Sequence, residues 1–207
     1  MLFYAVELGG EDELSQEASY KEATALLKAG HKREAFIQMK KLAHAGCVKA
    51  QGHLGILYDE GIGVEENPEK AVKWYRKAAK RGDATAQCNL GILYEIGGRI
   101  PMDFEQAEKW HCKAAEQGIA QSQHLLGMIY AEGLVGEENP ALGAEWYRKA
   151  AEQGYAGAQY DLGELYYAGR GVEQDFVQAA MWYEKATAQG DSRARNRLIE
   201  LREDGLI

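Results

Sequence analysis

Residues 54–82 read LGILYDEGIGVEENPEKAVKWYRKAAKRG, and the same arrangement returns three more times along the 207-residue chain. Leu54, Leu90, Leu126 and Leu162 are spaced by 36 residues, as are Gly55, Gly91, Gly127 and Gly163, and Tyr58, Tyr94, Tyr130 and Tyr166. The four tryptophans, Trp74, Trp110, Trp146 and Trp182, occupy the same place in each period. A fixed period of this length marks a stacked array, in which each unit buries its apolar side only against its neighbours. The expectation is one elongated array without an internal linker.

Within a period the first helix is expected over roughly 48–60. At about 100° per residue, Ala50, Gln51, Leu54, Gly55, Leu57 and Tyr58 fall on one arc, the packed side. Gly55 sits in mid-helix, where glycine costs about 1 kcal/mol against alanine. Its expected gain is close approach of the second helix beneath the Trp-bearing face. The recurring Gln51, Gln87, Gln123 and Gln159 are expected to bond backbone of a neighbouring repeat. Gly61 and Gly63 supply left-handed turn positions. Asn67-Pro68 and Asn139-Pro140 then start the second helix with an N-cap and a proline. Asp103 with Gln106, and Asp175 with Gln178, are the capping-box alternative. On the second helix Ala71, Trp74, Ala78 and Ala79 form an apolar stripe with Trp as the wedge.

Outward from the array, residues 17–46 read as a degenerate first repeat of two helices broken at Gly30. Residues 1–16 stand outside the period; Leu2–Leu8 is a short strand, an apolar plug or a segment ordered by a partner. Residues 191–207 continue the period as a capping helix, with Ile199 in the glycine position and Arg193, Arg195 and Arg197 giving a polar outer face.

A formal charge of −8 argues against nucleic acid as the main partner. The charge is uneven: residues 21–81 hold 13 Lys and Arg against 7 Asp and Glu, whereas residues 82–190 hold 7 against 16. This polarity orients a partner or reflects solvated faces. No apolar run is long enough to cross a membrane, so no membrane insertion is expected. The N-terminus lacks the basic lead of a signal peptide. Three cysteines at unrelated repeat positions do not form a disulfide framework, and a reducing cytoplasm is the expected home.

The residue pattern A-x-x-x-L-G-x-x-Y-x-x-G, the G-V/N-P loop and K-A-x-x-W-Y-x-K-A-A-x-x-G over 47–190 resembles the Sel-1-like repeat, a relative of the tetratricopeptide repeat. Departures are local: Ser122 for Ala, His111 for the Tyr after Trp, and Gly143 for Ala, which is expected to loosen its helix. The resemblance implies an all-α, right-handed α-solenoid of stacked helix-turn-helix units with first helices lining a concave face. It also implies an adaptor that is not an enzyme. Some bacterial relatives resemble immunity proteins that neutralise secreted toxins. Cysteine-rich extracellular relatives are associated with β-lactam binding; their paired cysteines are absent here, and a β-lactam-processing hydrolase is the weakest reading.

Opposite the packed arc, the concave-face candidates for partner binding are Lys49, Ile56, Asp59 and Glu60, then Ile92, Glu95 and Ile96. They continue with His124, Met128 and Glu132, then Tyr160, Glu164 and Tyr167. Apolar residues rimmed by carboxylates predict a groove for a protein or peptide with apolar anchors and Lys or Arg, such as a helix. Gly52, Cys88 and Ala131 fall on the same arc. Cys88 and His124 share a repeat position, but two dispersed ligands make a weak metal site, and no cofactor or metal is expected. The basic run Lys70–Arg81 reads as a solvated helix exterior rather than a phosphate site.

Overall fold

The structure, a computed structural model, describes the backbone of residues 4–207 and side chains from Leu14 onward. Among the described residues all regular structure is helical: eleven helices joined by short turns, each packed on the next in sequence. The expected all-α architecture of stacked helix pairs is the one observed. Contacts gather the chain into two compact units, Met1–Leu90 and Gly91–Ile207.

The first unit comprises α1 (Tyr4–Lys28), α2 (Lys32–His44), α3 (Val48–Asp59), α4 (Pro68–Ala79) and the opening of α5 (Ala84–Ile96). Residues 4–8, within the Leu2–Leu8 stretch for which the sequence left strand, plug and partner-ordered segment open, lie in the first turns of α1. Residues 2 and 3 of that stretch lie outside the described residues. The second unit holds the end of α5, then α6 (Phe104–Glu116), α7 (Ala120–Ala131), α8 (Pro140–Glu152), α9 (Ala156–Ala168), α10 (Phe176–Ala188) and α11 (Ser192–Glu203).

Local chemistry sets these boundaries. Asn67 and Asn139 Oδ1 accept from the backbone N–H of Lys70 and Leu142, and Asp103 and Asp175 Oδ1 accept from those of Gln106 and Gln178. Each cap residue also donates its own N–H to the carbonyl of the repeated tyrosine, from Asn67 to Tyr58 at 2.8 Å and from Asn139 to Tyr130 at 2.7 Å. Both cap types therefore hold the loop in one register. Second helices end at glycines with positive φ, +94° at Gly82. There the following N–H returns to the helix, Asp83 to the Ala78 carbonyl, which satisfies an otherwise orphaned acceptor.

The mid-helix glycines are explained by rings, but not the expected ones. A Cβ on Gly55 would stand 2.5 Å from the Tyr75 ring, and one on Gly163 would stand 2.5 Å from that of Tyr183. Tyr147 and His111 occupy the same place over Gly127 and Gly91. Tyr75 is 2% exposed, while Trp74 is only half-buried. The residue after each tryptophan is thus the wedge. Trp74 and Trp146 are half-buried and Trp110 and Trp182 buried, each under a lysine one turn on, with Lys149 and Lys185 Nζ 3.8 Å above Trp146 and Trp182, a cation–π contact. Gly143 does not loosen α8: its absent Cβ would lie 2.8 Å from that of Ala131, so α7 and α8 touch there.

The repeated glutamines join consecutive helix pairs as expected. Gln51, Gln87, Gln123 and Gln159 are buried, and each donates Nε2–H at 3.1 Å to a carbonyl of the preceding second helix: Ala43, Ala79, Ala115 and Ala151. Gln153 and Gln189 then donate to the side-chain oxygens of Gln123 and Gln159, at 2.6 and 2.8 Å. Arg81 holds the position equivalent to Gln153 and binds the Gly46 carbonyl instead, leaving buried Gln51 Oε1 without a partner.

Candidate functional site

A first helix has neighbours on two sides besides the second helix it carries, and this decides what remains free on the candidate face. In the first unit α1 lies along that face of α3. Glu17 accepts from Lys49 Nζ through both oxygens, at 3.1 and 3.0 Å. Tyr20 bonds His53 Nδ1 at 2.5 Å. Burial pushes the Tyr20 hydroxyl up to about 12 and lowers the His53 imidazole, which favours a neutral ring in this bond. Tyr20, Lys49, His53, Ile56, Asp83 and Thr85 line a cleft of about 440 Å³. Ile56 and Asp59 are half-buried, Asp59 accepting from the Tyr75 hydroxyl at 3.3 Å, and Glu60 is exposed.

In the second unit, side chains on successive first helices pair across the face. His124 Nε2 meets Asp161 Oδ2 at 2.6 Å, with its ring 5.5 and 5.1 Å from those of Tyr147 and Tyr155. Met128 packs against the core beside Tyr147. Glu132 is exposed and paired to Arg170 at 2.9 Å. Glu95 faces buried His111, Nε2 to Oε2 3.6 Å, while His111 Nδ1 meets Ser122 Oγ at 3.2 Å. The two departures from the repeat pattern, His111 and Ser122, are thus one local arrangement.

The last three candidates are covered by the chain itself. Arg197 grips Glu164 with two bonds, 2.8 and 2.7 Å, and Glu164 also accepts from the Tyr183 hydroxyl. Arg193 lies 4.2 Å over the Tyr160 ring, and Arg197 5.1 Å over that of Tyr167. Two of the three arginines expected on a polar outer face therefore reach back onto α9, because α11 packs as one more first helix. Gly52, Cys88 and Ala131, which the helical arc also placed free, are buried.

What stays available is narrower than the predicted set: Glu60 with half-buried Ile56 in the first unit, and Ile96 with half-buried Ile92 in the second. Ile96 is 73% exposed, and Met102 at the end of the following turn is 62% exposed. Met102 was missed because the sequence reading stopped at the helix end. Tyr20, His53 and Asp161 were missed because their partners lie 33 or 37 residues away, close to one period. Pairing positions across repeats would have found them. Among the described residues, no three His, Cys, Asp or Glu side chains gather as a metal site would require, and no helix is long and apolar enough to cross a membrane.

The Sel1 repeat family model matches residues 48–83, 84–119, 120–155 and 156–191. Among solved structures, c5321, a protective antigen present in uropathogenic Escherichia coli strains, is 36% identical with a TM-score of 0.85. That alignment covers 94% of this chain but 43% of c5321, so the chain spans less than half of that relative. A Sel1 repeat protein from Oxalobacter formigenes is 30% identical with a TM-score of 0.82, over 90% of this chain and 78% of its own. The immunity protein Pa5087 from Pseudomonas aeruginosa is 27% identical with a TM-score of 0.56, over 87% and 68%.

Proposed function

The chain belongs to the Sel1 repeat family, and from that premise we propose that it is a non-catalytic module that captures a protein or peptide on its first-helix face. The observation that carries this reading is the last turn of α5. Ile96 stands 73% exposed, half-buried Ile92 lies one turn before it, and Glu95 between them is held against His111. An apolar anchor beside a carboxylate, on a helix whose neighbours restrict its side chains, loses little entropy on binding. The preferred partner segment offers an apolar side chain and a Lys or Arg.

The test is affinity capture from the native cell with the wild type beside Ile96→Arg. Glu95→Lys is unsuitable, since it would place an ammonium against buried His111. Ile96→Arg retains the fold and is expected to lose the partner; equal capture by both proteins would end the assignment to this face. A second reading, an immunity protein that neutralises a secreted toxin, is favoured by the likeness to Pa5087. It requires that the captured protein lose its activity when bound, whereas an adaptor leaves that activity intact.

A further inference from the structure

The first unit carries a second surface, unrelated to the first-helix face. The outer sides of α2 and α4 meet: the His44 and Trp74 rings are 5.1 Å apart, and Arg81 Nη1 reaches the Gly46 carbonyl at 2.6 Å. Over residues 32–44 and 68–81 the chain holds ten Lys and Arg against two acids, Glu34 and Glu69, and all ten cations are exposed. The second unit provides an internal control, because its helices share the repeat. Residues 104–116 carry two cations against three acids, residues 140–152 two against two, and residues 176–188 one against one. Where the first unit has Lys80, the later repeats have Glu116 and Glu152. The basic excess is therefore no requirement of the fold.

We propose that this face docks on an anionic phospholipid surface without inserting a helix. Like charges at this density repel one another, and a broad anionic surface relieves that repulsion. Lipid headgroups offer negative charge over an area as wide as two helices and need no groove. The face also carries apolar groups suited to the headgroup boundary, Ile37 at 56% exposure and half-buried Trp74. The competing occupant is a second copy of the chain, through its acidic 82–190 portion.

The experiment is cosedimentation with vesicles of phosphatidylcholine alone and of equal parts phosphatidylcholine and phosphatidylserine, at low and physiological salt. The wild type is expected to bind only the anionic vesicles, and less at higher salt. Lys41→Gln/Lys73→Gln/Lys80→Gln is expected to weaken that binding by roughly a hundredfold. Lys109→Gln/Lys113→Gln/Lys185→Gln, which removes equal charge from the second unit, is expected to bind as wild type. Circular dichroism confirms that both variants fold. Absence of anionic-vesicle binding at low salt, or equal loss in both triple variants, overturns the proposal. So does self-association in analytical ultracentrifugation that Lys41→Gln/Lys73→Gln/Lys80→Gln abolishes while vesicles go unbound, which would assign the face to a second copy.

Discussion

At the scale of single residues, the glycine at each mid-helix position is dictated by the ring above it. Because a Cβ on Gly163 would lie 2.5 Å from the Tyr183 ring, Gly163→Ala is expected to destabilise by about 1–3 kcal/mol through overpacking. That is opposite in sign to the gain of about 1 kcal/mol which alanine brings to an open helix; urea midpoints would measure it. The sequence announced the glycine but not its partner, since Trp74 and Tyr75 recur together. Which of two adjacent side chains points inward depends on how the helices cross. His53 supplies a pH dependence. Burial lowers its pKa in the folded chain, so the unfolded chain, titrating near about 6.5, binds the proton first. The stability of neutral His53 is present above that pH and is lost as pH falls through it toward the folded value. Denaturation midpoints of the wild type are expected to drop between about pH 7 and 5, and those of His53→Gln to drop less.

At the scale of helices, caps and side-chain ladders were legible because they act over three or eight residues within one motif. The ladder has one defect, buried Gln51 Oε1, at the repeat where Arg81 replaces glutamine. Arg81→Gln is expected to give Gln51 Oε1 the counterpart of the bond that Gln153 donates to Gln123 and to stabilise by about 0.5–1 kcal/mol, seen as a raised Tm. A lowered Tm would show that the Arg81 bond to the Gly46 carbonyl matters more. At the start of α11, Asp191 accepts from the backbone N–H of Arg193 and Ala194 and pairs with the Arg193 guanidinium at 2.8 Å. Those bonds, the Arg193 side chain's foremost, hold its carboxyl below the usual range. Its stabilisation is thus complete above about pH 4 and lost as pH falls through the folded pKa. Asp191→Ala is expected to cost about 1–2 kcal/mol at neutral pH, with the gap to wild type narrowing in acid.

At the scale of the whole molecule, the first-helix face and the basic outer face are separate assignments and can be pulled apart. Lys41→Gln/Lys73→Gln/Lys80→Gln is expected to keep protein capture while losing vesicle binding, and Ile96→Arg to do the reverse. If either variant abolished both, one surface would be serving both purposes. The candidate site was only partly legible. Helical phase placed Lys49, Glu164, Tyr160 and Tyr167 off the packed arc, yet Glu17, Arg193 and Arg197 occupy them, and Tyr183 and Phe176 of α10 also reach Glu164, Tyr160 and Tyr167. Glu17, Arg193 and Arg197 each come from a neighbouring first helix that a single-repeat projection leaves out.

The sequence alone determined the period, the helices, their caps and glycine ends, and the family, because these depend on contacts within a motif of 36 residues that is written four times over. Tertiary structure decided which ring fills each glycine notch, that α1 begins at Tyr4, and which side chains remain free to bind. Those outcomes depend on side chains about one period apart meeting as first helices stack, and on end helices α1 and α11 that share the stacking without sharing the repeated residues.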